Sequence, residues 1–344
     1  MAAGGFKEFV AGEVLDQDEI NDYLMQGVLV FAGTAARGSA ITSPVEGQFS
    51  FLADSDKTEF YDGTQWVELA PPGVVFETVT VGGGAGGGAG TNLSGLRNGG
   101  GGGAGGYLST VAGEKTGGNN DVPNVLRIFA GTSFTVTVGA GGAGGSAPNQ
   151  SGVRGSNSQC YWQVALGGQG GGSYNDLTPL FYGASGGGGA GTSGVGGTST
   201  PFQGFNGSNA PAGAGGGAGE AGGTDGTSLG GDGLASSITG SSVIRAGGGS
   251  GGDDGGTALP GGDGGGGAGA SGSVNPTAGT VNTGGGGGGG NHTRSGAAGG
   301  SGIVIMKYPS SITLTIGGGL TSSTSTSGNF KITTFTAGTD TVSF

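Results

Sequence analysis

Short segments in which β-branched residues alternate with polar ones recur along the chain, and several lead directly into glycine. Alternating Val, Ile and Thr are typical of strands with one half-buried face. A flexible glycine linker has no reason to carry such residues. The pattern therefore predicts a repeat in which a strand is followed by a glycine run. The five clearest segments are 78–81, 135–138, 164–166, 243–246 and 313–316.

Two longer apolar segments, 74–81 and 302–309, flank the glycine-rich region and are candidates to pair as its base. After residue 310, apolar residues alternate with Ser and Thr, which predicts a few antiparallel, self-associating strands. Residues 337–340 are expected to form a turn. The apolar positions of this last segment are Ile312, Leu314, Ile316, Phe330, Ile332, Phe335, Val342 and Phe344.

The first seventy residues follow a different pattern. Asp16 and Glu19 have the spacing of a capping box, which predicts a helix over about residues 17–26. A second helical turn is predicted over residues 34–41. The apolar residues on one face of the first helix are Ile20, Tyr23 and Leu24.

A small β-meander is predicted after these helices. Phe49 and Phe51 alternate onto one face, and Asp62-Gly63 is a typical two-residue hairpin turn. Trp66 belongs to the returning strand. Seventy residues can hardly bury so many aromatic rings alone. We therefore expect copies of the chain to share them.

Glycine fills the space between these elements: 95 of the 344 residues are glycine and 11 are proline. Such a composition by itself favours disorder. The ordered alternative is the threefold polyglycine II helix, which rises about 3.1 Å per residue and has no internal hydrogen bonds. Its N–H and C=O groups must then pair with neighbouring helices. The strand and glycine repeat favours this lattice.

Side chains on such a helix should face away from the lattice and recur at multiples of three. Ala140, Ala143 and Ser146 fit this rule, and so do Ser250 and Asp253. Ala85 and Ala89, four residues apart, do not share a face.

The predicted fold is mainly β and irregular, in three parts. Residues 1–72 form a module with an N-terminal helix and a β-meander. Residues 73–309 form a body of packed polyglycine II helices with flanking short strands. Residues 310–344 form a C-terminal antiparallel β segment.

Charge and cysteine content exclude several classes of function. A net charge of −12 with only 11 Lys and Arg residues argues against nucleic-acid binding. The single cysteine, Cys160, excludes an intrachain disulfide, and we expect it to be half-buried and unreactive. No apolar run is long enough for a membrane span, and no signal peptide begins the chain. We expect a soluble protein made in a cytoplasm.

Three inserts with large side chains interrupt the glycine pattern, and they are the candidate recognition residues. Exposed aromatic rings beside Asn, Ser and Gln are the usual composition of a binding surface. Small clusters of rings that cover the lattice are the alternative. The residues are Tyr161, Trp162, Tyr174, Phe181, Tyr182, Phe202, Phe205, Asn206, His292 and Arg294.

No catalytic site, cofactor or metal is predicted. His292 is the only histidine and has no serine or cysteine motif near it. Adjacent residues of an extended chain, such as Asp253 and Asp254, point in opposite directions and cannot act as a glycosidase pair. The residues Asp225, Asp232, Asp253, Asp254 and Asp263 lie beside glycine without the spacing of calcium-binding repeats. They are expected to be solvated turn residues, with calcium binding as the less favoured alternative.

The N-terminal fifth of the chain resembles the N-terminal module of tailed-bacteriophage tail-fibre and minor tail proteins. The resemblance implies that this module attaches the protein to the virion and forms oligomers, commonly trimers. It makes Ile20, Tyr23, Leu24, Phe49, Phe51 and Trp66 candidates for that attachment. The segments that carry it are 9–15, 21–25, 30–32, 35–37, 42–47 and 61–67.

The glycine body is similar in character to the polyglycine-sandwich adhesin at the tip of T-even-type long tail fibres, whose stacked rods display loops to a receptor. This chain departs from it by carrying its own N-terminal module and a β-rich C-terminus. The resemblance implies a non-enzymatic adhesin of the virion tail, assembled in the host cytoplasm. Its partners would be other tail proteins and a bacterial polysaccharide or outer-membrane protein.

Three alternative functions make different demands on the sequence. A structural spacer or decoration protein would use the glycine body only for rigidity. A depolymerase would need an acid and base pair that the sequence lacks. Ice binding would need a regular array of Thr on one face, which the sequence does not show.

Overall fold

The computed structural model describes residues 28–55, 57–69, 73–92, 98–122, 126–174, 183–191, 193–255 and 258–344. The chain divides into two compact units, Met1–Pro72 and Gly73–Phe344. The helix predicted over residues 17–26, with Ile20, Tyr23 and Leu24, lies outside the described residues. The described elements are mainly strands, as predicted.

The first unit contains a four-stranded sheet and one short helix. The strands pair in the order β1-β2-β3-β4, with β1 parallel to β2 and the other pairs antiparallel. The helical turn predicted over residues 34–41 and the β-meander are both present. The elements are β1 (Leu29–Phe31), α1 (Thr34–Ala40), β2 (Phe49–Leu52), β3 (Lys57–Tyr61) and β4 (Trp66–Glu68).

A buried cation holds α1 against this sheet. Arg37 of α1 forms an ion pair with Glu59 of β3, and its guanidinium lies 4.5 Å from the centre of the Trp66 ring. A buried charge is tolerated only when it is paired in this way. Phe49 remains 43% exposed, and the expectation that copies of the chain share such rings stays a prediction.

The turn between β3 and β4 has four residues instead of the predicted two. The Asp62 carboxylate accepts hydrogen bonds from the backbone N–H of Gln65 (2.8 Å) and from both the hydroxyl and the N–H of Thr64 (2.7 and 2.8 Å). These bonds hold the pKa of Asp62 below its usual range. They stabilise the longer turn, in which Asp62 N–H donates to the Gln65 carbonyl.

The second unit is built on a ten-stranded sheet in the order β12-β11-β10-β18-β15-β5-β6, with β16 and β17 paired to β18 and β9 paired to β5. Two further hairpins join β7 to β8 and β13 to β14. The first strands are β5 (Val74–Val81), β6 (Tyr107–Ser109), β7 (Lys115–Thr116), β8 (Asn120–Asp121), β9 (Leu126–Ile128), β10 (Ser133–Thr137), β11 (Ser158–Cys160) and β12 (Gln163–Ala165). The remaining strands are β13 (Leu234–Ser236), β14 (Val243–Arg245), β15 (Ile303–Pro309), β16 (Thr315–Ile316), β17 (Leu320–Ser327) and β18 (Phe330–Ser343).

The two apolar segments that flank the glycine body pair as antiparallel neighbours, β5 with β15. The sheet then curls until it is nearly closed. Thr78 of β5 donates a 2.7 Å hydrogen bond to the side-chain oxygen of Gln163 on β12, which links strands far apart in the sheet order.

Successive side chains of a strand point to opposite faces of the sheet, so the apolar residues form two separate hydrophobic cores. Phe76 and Met306 contribute to the first core, whereas Val79 and Ile305 contribute to the second. Cys160 lies in the first core, fully buried instead of half-buried, and its burial raises the pKa of the thiol to about 12. The second core joins the sheet to the glycine body. Its residues from the glycine runs are Ala104, Ala218 and Ala246.

The predicted turn at residues 337–340 is wrong, because these residues lie inside the long strand β18. Along β18 the partners change from β15 and β17 to β10 and β16. At this point Gly338 has a φ of +96°, and a Cβ there would overlap the carbonyl oxygen of Gly319. The C-terminal strands therefore belong to the same sheet as β5 and β15.

The glycine runs form a lattice whose hydrogen bonds repeat every three residues. In the run 82–90, successive N–H groups donate to three neighbours in rotation, namely the runs 99–106, 150–156 and 294–300, at distances of 2.8–3.0 Å. Every third N–H returns to the same neighbour. For the first neighbour, donors 82, 85 and 88 pair with carbonyls 106, 103 and 100.

The carbonyl groups of the run 82–90 accept from three further segments, 142–145, 168–171 and 287–290. This run therefore has six hydrogen-bonded neighbours. The runs 99–106 and 284–290 are also each bonded to six segments, and all three central runs contact one another. The lattice satisfies the backbone groups that the individual runs cannot satisfy alone.

Close packing excludes most side chains from the central runs. A Cβ added at Gly86 would overlap the carbonyl oxygen of Ala143. The outer run does carry side chains at multiples of three, and Ala140, Ala143 and Ser146 are all exposed as predicted.

Some small side chains nevertheless lie inside the lattice, contrary to the expectation that they face away. Ala85, Ala104 and Ser250 are fully buried. The methyl group of Ala104 packs in the second core, and the Ser250 hydroxyl accepts a hydrogen bond from Gly230 N–H at 3.2 Å. These contacts accommodate the side chains of Ala104 and Ser250 inside the lattice.

We expect Gly86→Ala to lower the free energy of unfolding by about 3 kcal/mol, because the new methyl group overlaps a neighbouring backbone that cannot move independently. Thermal unfolding of the full chain measures this. The matched control is Gly318→Ala, where an added Cβ meets nothing within 4 Å. Equal melting temperatures for the two variants would contradict the lattice.

Candidate functional site

The connections between glycine runs lie at two opposite ends of the lattice. Residue 82 follows β5, residue 106 precedes β6, and residue 302 precedes β15, so these residues mark the end that adjoins the sheet. The order of the hydrogen-bonded pairs along neighbouring runs places residues 90, 99 and 294 at the other end of the lattice. We call this second end the distal end. Its loops include 90–92, 145–150, 208–213, 270–277 and 290–295.

The structure divides the predicted recognition residues between the two ends. Trp162 and Phe202 lie toward the sheet end, together with Tyr161, Phe205 and Asn206. The distal end carries Tyr174, His292 and Arg294. Phe181 and Tyr182 lie outside the described residues. The three inserts therefore do not form one surface.

Tyr161 contributes to the first core and is not a presented ring. It is half-buried, and its ring lies edge-on to Phe134 with 5.7 Å between the ring centres. It occupies the tight turn between β11 and β12 with a φ of +56°. Its neighbour Trp162 is 58% exposed.

Asn291 fixes the relative positions of three distal loops. It is fully buried, and its side-chain amide donates to the carbonyls of Asp253 (2.8 Å) and Gly272 (3.4 Å). Its backbone also forms a β-bridge with Asn98. Buried amides that satisfy backbone carbonyls are costly to remove.

The polar residues that follow Asn291 reach the same neighbouring loops. His292 Nε2 lies 3.1 Å from a carboxylate oxygen of Asp254. Arg294 Nε donates to the side-chain oxygen of Asn275 at 2.9 Å. Both predicted residues are thus engaged in loop-to-loop contacts and are only partly exposed.

A second group of contacts extends the distal surface to the loop 145–150. Ala147 N–H donates to the Ser295 hydroxyl at 3.1 Å, and the Ser173 hydroxyl donates to the Asn149 carbonyl at 2.8 Å. Tyr174, next in the chain, is half-buried beside Gly191. Among the described residues, side-chain hydrogen bonds therefore join the distal loops 145–150, 270–277 and 290–295 to one another.

Amide and hydroxyl groups dominate the exposed positions of this surface. Val274 is an exposed apolar residue there, with 53% of its surface accessible. Such a mixture offers adaptable hydrogen bonding with small apolar contacts. The exposed distal residues include Asn92, Ser146, Pro148, Gln150, Ser193, Val195, Asn209, Pro211, Asp254, Ser273, Val274, Asn275, Thr277, Thr293 and Ser295.

Sequence reasoning missed Asn291 and Val274 because it searched for aromatic rings. The available signal was position: each short non-glycine segment between two long runs marks a lattice end. Asn291 directly follows the seven glycines 284–290.

Comparison with known families identifies the glycine-rich region. The sequence model of a family described as a glycine-rich domain matches residues 62–309. The chain belongs to this family. Comparison with curated proteins gives no match. In the family match, the last residues are those of β15, and β16–β18 lie beyond it. In the part of the chain that the structure describes, no helix is long and apolar enough to cross a membrane.

Three carboxylates gather close to the predicted recognition residue Asn206, whose carbonyl accepts a 3.0 Å hydrogen bond from Gly222 N–H. Oxygen atoms of Glu220, Asp225 and Asp232 lie within 4.8 Å of one another, a grouping the sequence did not predict. Burial raises the pKa of Glu220, and the neighbouring negative charges act in the same direction. Oxygen donors of this kind suit a hard cation such as Ca²⁺. Asp254 instead pairs with His292, so these predicted turn residues have different environments.

We expect Asn291→Ala to lower the free energy of unfolding by about 1–3 kcal/mol, because two partly buried carbonyls lose their donor. Amide hydrogen exchange should also quicken in residues 253–255 and 271–275. Thr293→Ala, an exposed change two residues away, is the control. If the two variants exchange alike in these loops, Asn291 does not organise the distal end.

Proposed function

We propose that the protein is a non-enzymatic adhesin of a tailed bacteriophage, which attaches the virion to a bacterial surface through the distal loops. The observation that carries the proposal is a hydrogen-bonded lattice whose distal loops are held in place by side-chain hydrogen bonds. Binding sites are commonly placed on loops that a rigid scaffold positions. The glycine-rich family match supports the scaffold part of the proposal.

The lattice itself is best interpreted as packed polyglycine II helices. A threefold helix presents its N–H groups in three directions, so each group meets a different neighbour and every third meets the same one. The run 82–90 follows this rule along its whole length. The same geometry is the basis of the similarity to the polyglycine-sandwich adhesin of T-even-type tail fibres.

For residues 1–72 we propose attachment to other tail proteins and assembly into a homo-oligomer, in keeping with the tail-fibre resemblance. Phe49 is 43% exposed, while Phe51 and Trp66 are half-buried, so part of each side chain is accessible to a partner protein. Together with Ile20, Tyr23 and Leu24 they remain the candidate attachment residues. A trimer in the virion tail, assembled in the host cytoplasm, is the form we propose.

The strand β17 offers a further contact for assembly. It pairs only with β18 among the described strands, and seven of its eight residues are exposed. It carries no charged residue and no proline. An edge strand without these features readily pairs with another strand.

A structural spacer or decoration protein is the second candidate function. Among the described residues of the distal loops, Tyr174 supplies the only aromatic ring, and it is half-buried. A surface with few exposed rings lacks the aromatic anchors that commonly dominate binding energy. The spacer hypothesis predicts that the isolated protein does not bind cells.

Binding of the purified, fluorescently labelled chain to a panel of Gram-negative and Gram-positive strains separates the two functions. The adhesin proposal predicts saturable binding to at least one strain, competed by unlabelled protein. Absence of binding across a broad panel would favour the spacer. Release of soluble sugar from the bound strain would instead indicate a depolymerase.

On a strain that binds, we expect Val274→Arg to weaken binding at least tenfold, because a bulky charge is added at an exposed apolar position of a distal loop. The matched control is Val153→Arg, on an outer run midway between the two ends. The two valines are 53% and 55% exposed, so an arginine at either position is similarly accessible to solvent. Equal loss of binding in both variants, or in neither, would place the contact elsewhere.

A further inference from the structure

A shallow cleft lies on the second unit away from the distal loops, where two turns face each other. One turn spans residues 117–120 and the other spans residues 199–206. The walls approach so closely at the base that a Cβ on Gly117 would overlap the backbone of Gln203. The cleft has a volume of about 270 Å³, and its larger lining residues are Asn120, Ser199, Pro201, Phe202, Phe205 and Asn206.

Both walls are held by hydrogen bonds to other elements. The Gln203 side chain accepts from Leu166 N–H (2.8 Å) and donates to the Val164 carbonyl (3.2 Å). On the opposite wall, Asn119 donates to the Gly219 carbonyl at 2.8 Å. The cleft is therefore formed in the free protein, which reduces the entropy lost on binding.

Phe202 is the unusual residue of this cleft. Its φ is +63°, in the left-handed region that bulky side chains rarely adopt. Its ring is nevertheless 61% exposed and belongs to neither hydrophobic core. Core packing does not account for a strained backbone that presents a phenyl ring to solvent. Strain of this kind is commonly retained at functional sites.

The polar side chains around the Phe202 ring are uncharged, and together they offer a hydrogen-bond donor and an acceptor. Asn206 accepts from the N–H and the hydroxyl of Ser199 at 2.8 and 3.0 Å, and no described residue accepts from its amide NH₂. The Asn120 amide donates to the carbonyls of Gly117 and Gly118, which leaves its oxygen as an acceptor. Among the residues that the structure describes, no charged side chain lines the cleft.

We propose that this cleft binds a neutral saccharide. A sugar ring has an apolar C–H face that packs on an aromatic ring and a rim of hydroxyls that both donate and accept hydrogen bonds. Phe202 and Phe205 supply the aromatic surface, while Asn120 and Asn206 supply an acceptor and a donor. The neutral lining favours a neutral sugar over an acidic one. This site is separate from the distal loops and does not depend on the function proposed for them.

The test uses the full chain and a panel of methyl glycosides of neutral hexoses and N-acetylhexosamines, observed by saturation-transfer NMR. We expect transfer to the ring C–H protons of at least one glycoside. Phe202→Gly should weaken that binding at least tenfold while leaving the melting temperature equal or higher, because glycine adopts a φ of +63° without strain. This variant removes the ring without threatening the fold.

Phe129→Ala is the matched control, since it removes an exposed aromatic ring that does not line the cleft and should not change binding. Absence of transfer to every glycoside would overturn the proposal. So would glycoside binding that survives Phe202→Gly. Competition by a proline-rich peptide that binds the same cleft more tightly than any glycoside would show a peptide site instead.

Discussion

Lateral pairing of backbone N–H groups is the interaction on which the rest of the second unit depends. Each residue of the run 82–90 donates to a neighbouring run, and none bonds within its own run. A single run therefore has no stability, whereas a central run with six neighbours has most of its backbone satisfied. Glycine is required at most positions of this run, because a Cβ there would overlap a neighbouring backbone, whereas Ala85 and Ala89 are accommodated.

The sheet and the lattice support each other. Glycine runs bury no large apolar groups, so they contribute little hydrophobic stabilisation, and ordering them loses much conformational entropy. The sheet supplies two apolar cores, and the second core includes Ala104, Ala218 and Ala246 from the lattice ends. The runs 82–90 and 99–106 continue directly into the strands β5 and β6. The distal loops, far from the sheet, are held instead by polar side chains such as Asn291.

Alternation of apolar and polar residues predicted the strands well, because the buried face of a strand takes every second side chain and these side chains are apolar. Segments around Val79, Val136 and Val304 became β5, β10 and β15. The turn at Ala337–Asp340 failed because Gly338 allows β18 to continue past a local distortion while it changes partners. Which glycine runs become neighbours could not be predicted, since glycine has no side chain to specify a register.

The candidate site was predicted only in part, for a related reason. Aromatic residues stood out against glycine, but a ring beside a strand can be a core residue, as Tyr161 is. The distal residues His292 and Arg294 were identified, yet the sequence did not separate them from Phe202 at the other end. That separation follows from the directions of the runs, which alternate because of long-range pairing.

Amide hydrogen exchange of the purified chain across residues 82–90, 99–106 and 284–290 tests the central claim most directly. The lattice predicts slow exchange at nearly every residue of these runs, because successive N–H groups are all bonded to neighbours. Gly318 and Gly328, which lie in exposed turns, should exchange rapidly and serve as internal references. Exchange of the central runs at the rate of these references would contradict the lattice and the scaffold role built on it.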